Sequence, residues 1–146
     1  VIALLDVNVL IALLDSQHVH HDSAHHWFLN NSSAGWATCP ITQNGVLRIL
    51  GNPRYPNSPG SPASVMTLLL GFLSHRDHHF WADDLSWSEG AVVHGDQVLA
   101  HGQITDAYLL ALAVHHQGLL VTLDSRISTR AVQGGDQALQ LIQTST

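Results

Sequence analysis

The chain has 146 residues, 45% of them hydrophobic, which suits one buried core and not two ordinary domains, so we expect residues 1–146 to form a single domain. Five Arg, no Lys and eleven Asp plus Glu give a formal net charge of −6, which argues against a module that binds nucleic acid mainly through a basic face. One cysteine excludes an internal disulfide, and the lack of a membrane-length apolar stretch or a signal-peptide pattern predicts a soluble cytoplasmic protein.

Short apolar runs alternate with helical patterns in the first half of the chain. Residues 1–5 are an apolar run of buried-strand length, and Asn8 suits the N-cap of a helix over residues 9–14. The next predicted elements are a helix capped by Asp22 or Ser23, a strand over residues 36–39, a helix from a Thr42 cap to Leu50, and a proline-rich loop over residues 51–62.

The second half of the chain continues this alternation. Its predicted elements are a helix started by Ser61 or Ser64 and ending at Leu73, a strand over 79–81, a short helix within 90–100, a helix over 104–117, a strand over 119–123, helical turns within 125–132 and an edge strand over 138–142. Thr105 suits the N-cap of the long helix, and Gly118 suits the left-handed position after its end. Repeated strand and helix units predict an α/β fold, with helices on both faces of a mostly parallel sheet.

Three aspartates stand at the ends of these elements. Asp6 closes the first strand, Asp124 closes the strand over residues 119–123, and Asp106 lies in the first turn of the long helix. If the two strands are parallel neighbours, their carboxyl ends and the helix N-terminus bring the three carboxylates together. Crowded carboxylates repel one another and take up protons unless a divalent cation lies among them. The pattern therefore predicts a site for Mg²⁺ or Mn²⁺.

Each of these aspartates also has a purely structural explanation. Asp6 could cap the helix that follows it, the helix dipole alone favours Asp106, and Asp124 could open a turn. The metal-site hypothesis therefore depends on the three residues acting together.

The motifs around the aspartates resemble those of a known family. They are Leu4-Leu5-Asp6-Val7-Asn8-Val9-Leu10, Pro40-Ile41-Thr42-Gln43-Asn44-Gly45-Val46-Leu47-Arg48, Thr105-Asp106-Ala107-Tyr108-Leu109 and Val121-Thr122-Leu123-Asp124. In order and spacing they resemble the PIN-domain ribonucleases, and most of all the VapC toxins of bacterial toxin–antitoxin pairs, over nearly the whole chain. The resemblance implies a three-layer α/β/α PIN-like fold with a central, mostly parallel sheet.

The resemblance also implies a reaction and partners. It implies a metal-dependent endoribonuclease, the toxin of a type II toxin–antitoxin system, in which metal-activated water cleaves RNA phosphodiester bonds. Asp6, Asp106 and Asp124 match the family's first, third and fourth acidic positions and would be catalytic metal ligands. The implied partners are an RNA substrate, a VapB-like antitoxin and a second copy of the chain in a homodimer. The helix over residues 64–73 has more Leu than one buried face requires, which indicates either a partner surface or core packing.

The family's second acidic position, usually Glu, falls on Gln43. A Gln carbonyl can coordinate Mg²⁺ or hold a metal-bound water, but it lacks the charge that offsets a cation. We therefore expect Gln43 to occupy a catalytic position with looser metal binding, and one tight ion where two could bind. The alternative is a catalytically weakened PIN domain that acts only as an antitoxin- or RNA-binding partner.

Four more residues are candidates for contact with the RNA substrate. Asn8 and Ser125 can hydrogen-bond to metal ligands or to phosphate from the strand ends. Arg48 and Arg126 are candidates for phosphate contact. For Arg48, a structural ion pair with a carboxylate of the site is an equal alternative.

Two other patterns suggest different functions. Five of the twelve histidines fall within residues 18–26, where His21 and His25 have the i, i+4 spacing of two transition-metal ligands. No third ligand is evident, so we prefer a solvated helix face to a nickel or zinc buffer. Asp6-Val7-Asn8 is similar to a phosphatase acceptor loop, but Asn8 lacks the second carboxylate and the chain has no Lys to hold the phosphoryl group.

Overall fold

A five-stranded sheet forms the centre of the computed structural model, which describes residues 1–88 and 93–144. Its strands are short, and most of their residues are buried or partly buried. In chain order they are β1 (Ala3–Leu5), β2 (Trp36–Thr38), β3 (His78–Phe80), β4 (Leu119–Thr122) and β5 (Leu139–Leu141).

Helices cover both faces of this sheet. They are α1 (Val7–Leu14), α2 (His21–Asn31), α3 (Pro40–Leu50), α4 (Pro62–Leu73), α5 (Ile104–His115) and α6 (Gly135–Ala138). Strand side chains alternate between two cores because successive residues point to opposite faces. Leu4 and Leu120 belong to the core that contains α5, whereas Leu5 and Val121 belong to the core that contains α1 to α4. The predicted three-layer α/β/α architecture is therefore confirmed.

The strand order is β3-β2-β1-β4-β5, and every strand pair in it is parallel. β1 and β4 are neighbours, with Leu5 paired to Val121, and the Asp6 amide donates to the Val121 carbonyl at 2.9 Å. The carboxyl ends of both strands therefore lie at one edge of the sheet, as the sequence predicted. β5 is an edge strand, which also confirms the prediction.

Several predicted helix starts were wrong. Asp6 caps α1 and Asn8 lies inside that helix, because the chain turns directly after β1. Thr42 lies inside α3, where its hydroxyl accepts a hydrogen bond from the Cys39 amide at 3.0 Å. The helix α2 begins at His21, before both of its predicted caps, Asp22 and Ser23. The helix α5 begins at Ile104 as predicted, but Thr105 lies inside it, and neither helix has a side-chain cap.

Other differences lie in the last third of the chain. Residues 125–132 form turns without a helix, and the sequence patterns missed α6. In the region predicted as a helix within residues 90–100, positions 90–92 lie outside the described residues, and a single 3₁₀ turn, Gly95–Gln97, is present. None of the helices in the described residues is long and apolar enough to cross a membrane.

Gly118 is needed for space, and the left-handed conformation predicted for it is found at Gln117 instead. A Cβ atom added at Gly118 would lie 2.7 Å from Cη2 of Trp81 and would also meet the Ile2 carbonyl oxygen. We therefore expect Gly118→Ala to lower the free energy of unfolding by about 3 kcal/mol, since backbone cannot move aside as a side chain can. Gly71→Ala is the control, because nothing lies within 4 Å of a Cβ there. Urea unfolding that ranks the two variants equally would contradict this explanation.

Candidate active site

Asp6 is held rigidly at the junction of β1 and α1. Its Oδ1 accepts a hydrogen bond from the Val7 amide at 2.7 Å, and its Oδ2 accepts one from the Thr122 hydroxyl at 2.8 Å. The side chain is buried, and this burial raises the pKa of Asp6 although both hydrogen bonds lower it; the charge of Asp124 raises it further. Asp6 is thus both a helix cap and a desolvated carboxylate, and its capping role is compatible with the predicted role as a metal ligand.

Thr122 connects the residues at this edge of the sheet, and sequence reasoning missed it. Besides donating to Asp6, its hydroxyl accepts hydrogen bonds from the Asp124 amide at 3.0 Å and from Asn8 Nδ2 at 3.1 Å. Asn8 Oδ1 accepts a hydrogen bond from the Leu123 amide at 3.1 Å. Asn8 therefore joins α1 to the end of β4, a structural function beside the predicted contact with substrate. Thr122 could have been identified from the sequence as the one polar residue of an otherwise apolar strand, two positions before Asp124.

Asp124 is paired with Arg126. The Arg126 amide and Nε donate to Asp124 Oδ1 at 2.9 and 3.0 Å, and its Nη2 donates to Oδ2 at 3.4 Å. These hydrogen bonds lower the pKa of Asp124, which therefore stays ionised. Arg126 is largely exposed, so a phosphate could reach its guanidinium from solvent. The predicted phosphate contact would then share this guanidinium with the Asp124 carboxylate.

Asp106 is the most perturbed of the three carboxylates. It lies in the first turn of α5, and partial burial followed by the charges of Asp6 and Asp124 raises its pKa to about 6, against the opposing charge of Arg126. Three aspartates from distant parts of the chain thus interact electrostatically at one edge of the sheet. This is the arrangement expected of a site for a hard cation, since such an ion removes the repulsion and prefers oxygen ligands.

The spacing of the carboxylates limits how they could hold an ion. Within residues 1–88 and 93–144, Asp84, His115 and His116 alone form a group of three potential ligands whose atoms all lie within 4.8 Å of one another. The oxygens of the three aspartates are therefore more widely spread. Two direct ligands of one Mg²⁺ lie at most about 4.2 Å apart, because each Mg–O distance is about 2.1 Å. In this arrangement at least one carboxylate would contact the ion through water, which Mg²⁺ sites commonly retain.

Gln43 lies near the start of α3 and is bonded to the end of β2. Its Nε2 donates to the Thr38 hydroxyl at 3.0 Å, and that hydroxyl lies 2.7 Å from His78 Nε2. In the described residues, side-chain hydrogen bonds connect Gln43 to Thr38 and, through it, to His78, and not to the three aspartates.

Arg48 is exposed, and no carboxylate lies within 4.0 Å of it in the part of the chain that the structure describes, so its alternative role in an ion pair is not observed.

A cleft of about 410 Å³ opens beside Asp124. Its lining residues are Asn8, His18, His20, Leu123, Asp124, Ser125 and Arg126. Three of the four predicted substrate-binding residues thus share one surface. His18 and His20 precede α2 and also line the cleft, a position that the sequence patterns did not predict. Burial, and then the charge of His20, lowers the pKa of His18, so at neutral pH its imidazole is an uncharged hydrogen-bonding group.

The predicted histidine pair is not arranged as a metal site. His21 and His25 lie on α2 with their rings stacked 5.7 Å apart, and His21 Nδ1 is 2.7 Å from the Ala12 carbonyl oxygen. No third ligand joins them within 4.8 Å in the described residues. His25 is exposed, in agreement with a solvated helix face.

Comparison with known proteins identifies the family of this chain. The sequence model of the PIN-domain family matches residues 3–132. Ribonuclease VapC44 of Mycobacterium tuberculosis is 48% identical over 132 residues, which cover 90% of this chain and 92% of that protein. Ribonuclease VapC39 of the same organism is 43% identical over 132 residues, covering 90% of this chain and 95% of the relative.

A solved structure has a similar fold. The crystal structure of VapBC2 from Rickettsia felis, bound to a DNA fragment from their promoter, aligns with a TM-score of 0.56 over 85% of this chain and 89% of that chain. At 13% identity this likeness is evidence for the fold alone. The family match over residues 3–132, the sequence relatives and the parallel sheet with aspartates at its carboxyl edge lead to one conclusion: this chain belongs to the PIN-domain family and is similar to its VapC ribonucleases.

Proposed function

We propose that this protein is a metal-dependent endoribonuclease, the toxin of a type II toxin–antitoxin pair. The observation that carries the proposal is the position of Asp6 and Asp124 just after two paired parallel strands, near enough to Asp106 for their charges to raise its pKa, in a chain related to named ribonucleases. Each carboxylate comes from a different part of the sequence, and the Thr122 hydroxyl directly joins two of their segments.

Mg²⁺ is the cation that fits this donor set best, with Mn²⁺ as a substitute, because all three side chains offer carboxylate oxygen. Asp6 and Asp106 would hold the ion directly, and Asp124 would hold it through a bound water, because the three carboxylates are too widely spread for all of them to be direct ligands. When bound, the ion supplies a polarised water as the nucleophile and offsets charge that develops on the phosphate. Thr122 keeps the Asp6 carboxylate fixed in orientation, so less reorganisation is needed when the ion enters.

The cleft beside Asp124 is the proposed path of the RNA backbone. Ser125, Arg126 and Asn8 line it, as does His20, and His18 adds an imidazole whose lowered pKa leaves it uncharged at neutral pH. With five Arg and no Lys, the protein would gain little affinity from counterion release, so recognition would depend on the shape and hydrogen bonds of the cleft. The expected products carry a 3′-hydroxyl and a 5′-phosphate.

Gln43 is the reason to expect modest metal affinity. A carboxylate at this position would add a negative charge at the same edge of the sheet, whereas the Gln43 amide donates a hydrogen bond to Thr38. We therefore propose one tightly held ion. This substitution also favours the second candidate function, a catalytically weakened PIN domain that binds an antitoxin or RNA.

We also propose a VapB-like antitoxin and a homodimer as assembly partners, in the cytoplasm. Support comes from α4, where Val65 and Leu69 are buried but the side chains of Met66 and Leu70 are 40% and 57% exposed. Exposed apolar residues on one helix suit a protein partner. The named VapBC2 structure is a precedent for such pairing in a protein of the same fold.

Removal of the metal tests the proposed activity. We expect the purified chain, free of any antitoxin, to cleave RNA from total cellular extracts in Mg²⁺ or Mn²⁺, to lose that activity in EDTA and to regain it when excess Mg²⁺ is restored. Gel analysis of end-labelled RNA measures the cleavage. Cleavage that persists in EDTA would contradict the metal-dependent mechanism. RNA binding without turnover in Mg²⁺ would instead select the weakened PIN domain.

A further inference from the structure

Three potential metal ligands meet at the end of α5 that lies away from Asp106. Asp84 lies after β3. His115 is the last residue of α5, and His116 comes directly after it. Asp84 Oδ1 lies 3.4 Å from His116 Nε2 and 3.8 Å from His115 Nε2, and all three ligand atoms lie within 4.8 Å of one another. We propose that these residues form a second metal site, for a late first-row transition metal such as Zn²⁺.

The two distances from Asp84 to the imidazoles suit tetrahedral coordination. Zn–N and Zn–O bonds of about 2.0–2.2 Å place tetrahedral ligands about 3.3–3.5 Å apart. The Asp84–His116 separation already has this value, and the Asp84–His115 separation is larger by only a few tenths of an ångström. Three protein ligands leave the fourth position for water or an external ligand.

The environment of His116 supports the assignment. Its ring stacks on Trp81, with centroids 4.3 Å apart and planes 11° from parallel, so its orientation is fixed. Its Nε2 is buried and has no hydrogen-bond partner in the described residues, although Asp84 is close. A buried nitrogen without a partner costs free energy, and coordination of a metal ion would satisfy it. The side chains of Asp84 and His115 are 51% and 42% exposed, so an ion could enter from solvent.

This site differs in position and in ligand type from the carboxylate cluster. Asp106 and His115 are nine positions apart in α5, which correspond to about 14 Å of helix. Two imidazoles and one carboxylate favour Zn²⁺ and related ions, whereas three carboxylates favour Mg²⁺. The proposal is therefore independent of the ribonuclease activity. A bound ion would connect the segment after β3 to the end of α5 and stabilise the folded chain.

Zinc titration with matched variants tests the site. Isothermal titration calorimetry with ZnCl₂, in excess Mg²⁺ to occupy the carboxylate cluster, should show one tight site in the wild type. Asp84→Asn and His115→Gln should each weaken this site at least about tenfold, since even changes around metal ligands cost 10–100-fold. Each variant should also lose the rise in Tm that Zn²⁺ causes in the wild type.

His25→Gln is the control, because it removes an exposed histidine from α2 and leaves the proposed site intact. It should bind Zn²⁺ like the wild type, and RNA cleavage in Mg²⁺ should be unchanged in Asp84→Asn and His115→Gln. Circular dichroism without zinc should show that the Asp84→Asn and His115→Gln variants are both folded. Because each substitution is at an exposed position, either folded variant is sufficient to test the proposal. Unchanged zinc affinity in a folded Asp84→Asn or His115→Gln variant, or equal loss in His25→Gln, would overturn the proposal.

Discussion

Asp106→Asn is expected to lower RNA cleavage at least about a hundredfold while the chain stays folded. The amide keeps the shape of the side chain but removes the negative charge that would help to hold a divalent cation. Because Asp6 and Asp124 repel the Asp106 carboxylate in the metal-free protein, its removal should leave stability unchanged or raise it. A loss of activity together with equal or higher stability separates a catalytic effect from misfolding. Initial cleavage rates and urea unfolding measure the two quantities.

The chain offers a closely matched control for this variant. Asp22 also lies in the first turn of a helix, α2, and is exposed. Asp22→Asn removes the same charge and the same kind of interaction with a helix dipole. Asp22, however, is not among the residues whose charges affect the pKa of Asp106. It should cleave RNA at the wild-type rate. If Asp106→Asn cleaved as fast as Asp22→Asn, Asp106 would have no part in the proposed site.

Thr122→Val should lower cleavage by about 10–100-fold, the range typical of groups that orient metal ligands. Valine has nearly the same shape as threonine, but it removes the hydroxyl that donates to Asp6 and accepts from the Asp124 amide. We also expect a loss of about 1–3 kcal/mol in the free energy of unfolding, because buried polar groups lose their partner. The Mg²⁺ concentration for half-maximal activity should rise, since Asp6 would no longer be fixed in orientation.

Thr122→Ser distinguishes the hydroxyl from the packing of the side chain. Serine keeps the hydrogen-bonding group and loses one methyl, so its Mg²⁺ dependence should return to that of the wild type despite some loss of stability. A serine variant that required as much Mg²⁺ as the valine variant would show that packing, and not the hydroxyl, accounts for the effect.

The sequence was informative about the sheet and the position of the aspartates because both depend on local patterns. Five buried or edge strands were predicted within one or two residues, since short apolar runs between helical patterns mark strands. The alternation of strands and helices favours parallel strands, whereas the pairing of β1 with β4, which the sequence analysis only assumed, comes from the structure. Helix starts were less predictable, because Asn8, Thr42 and Thr105 have good capping chemistry but the chain turns elsewhere.

By itself, the sequence determined that Asp6 and Asp124 lie just after strands and that Asp106 lies in the first turn of a helix, since those positions follow from periodicity along the chain. The tertiary structure alone decided the partners of these groups. It placed Thr122 between Asp6 and Asp124, and brought Asp84 to His115 and His116. Hydrogen bonds and ligand groups of this kind depend on distances of a few ångströms between remote residues, and a linear pattern of hydrophobicity carries no such information.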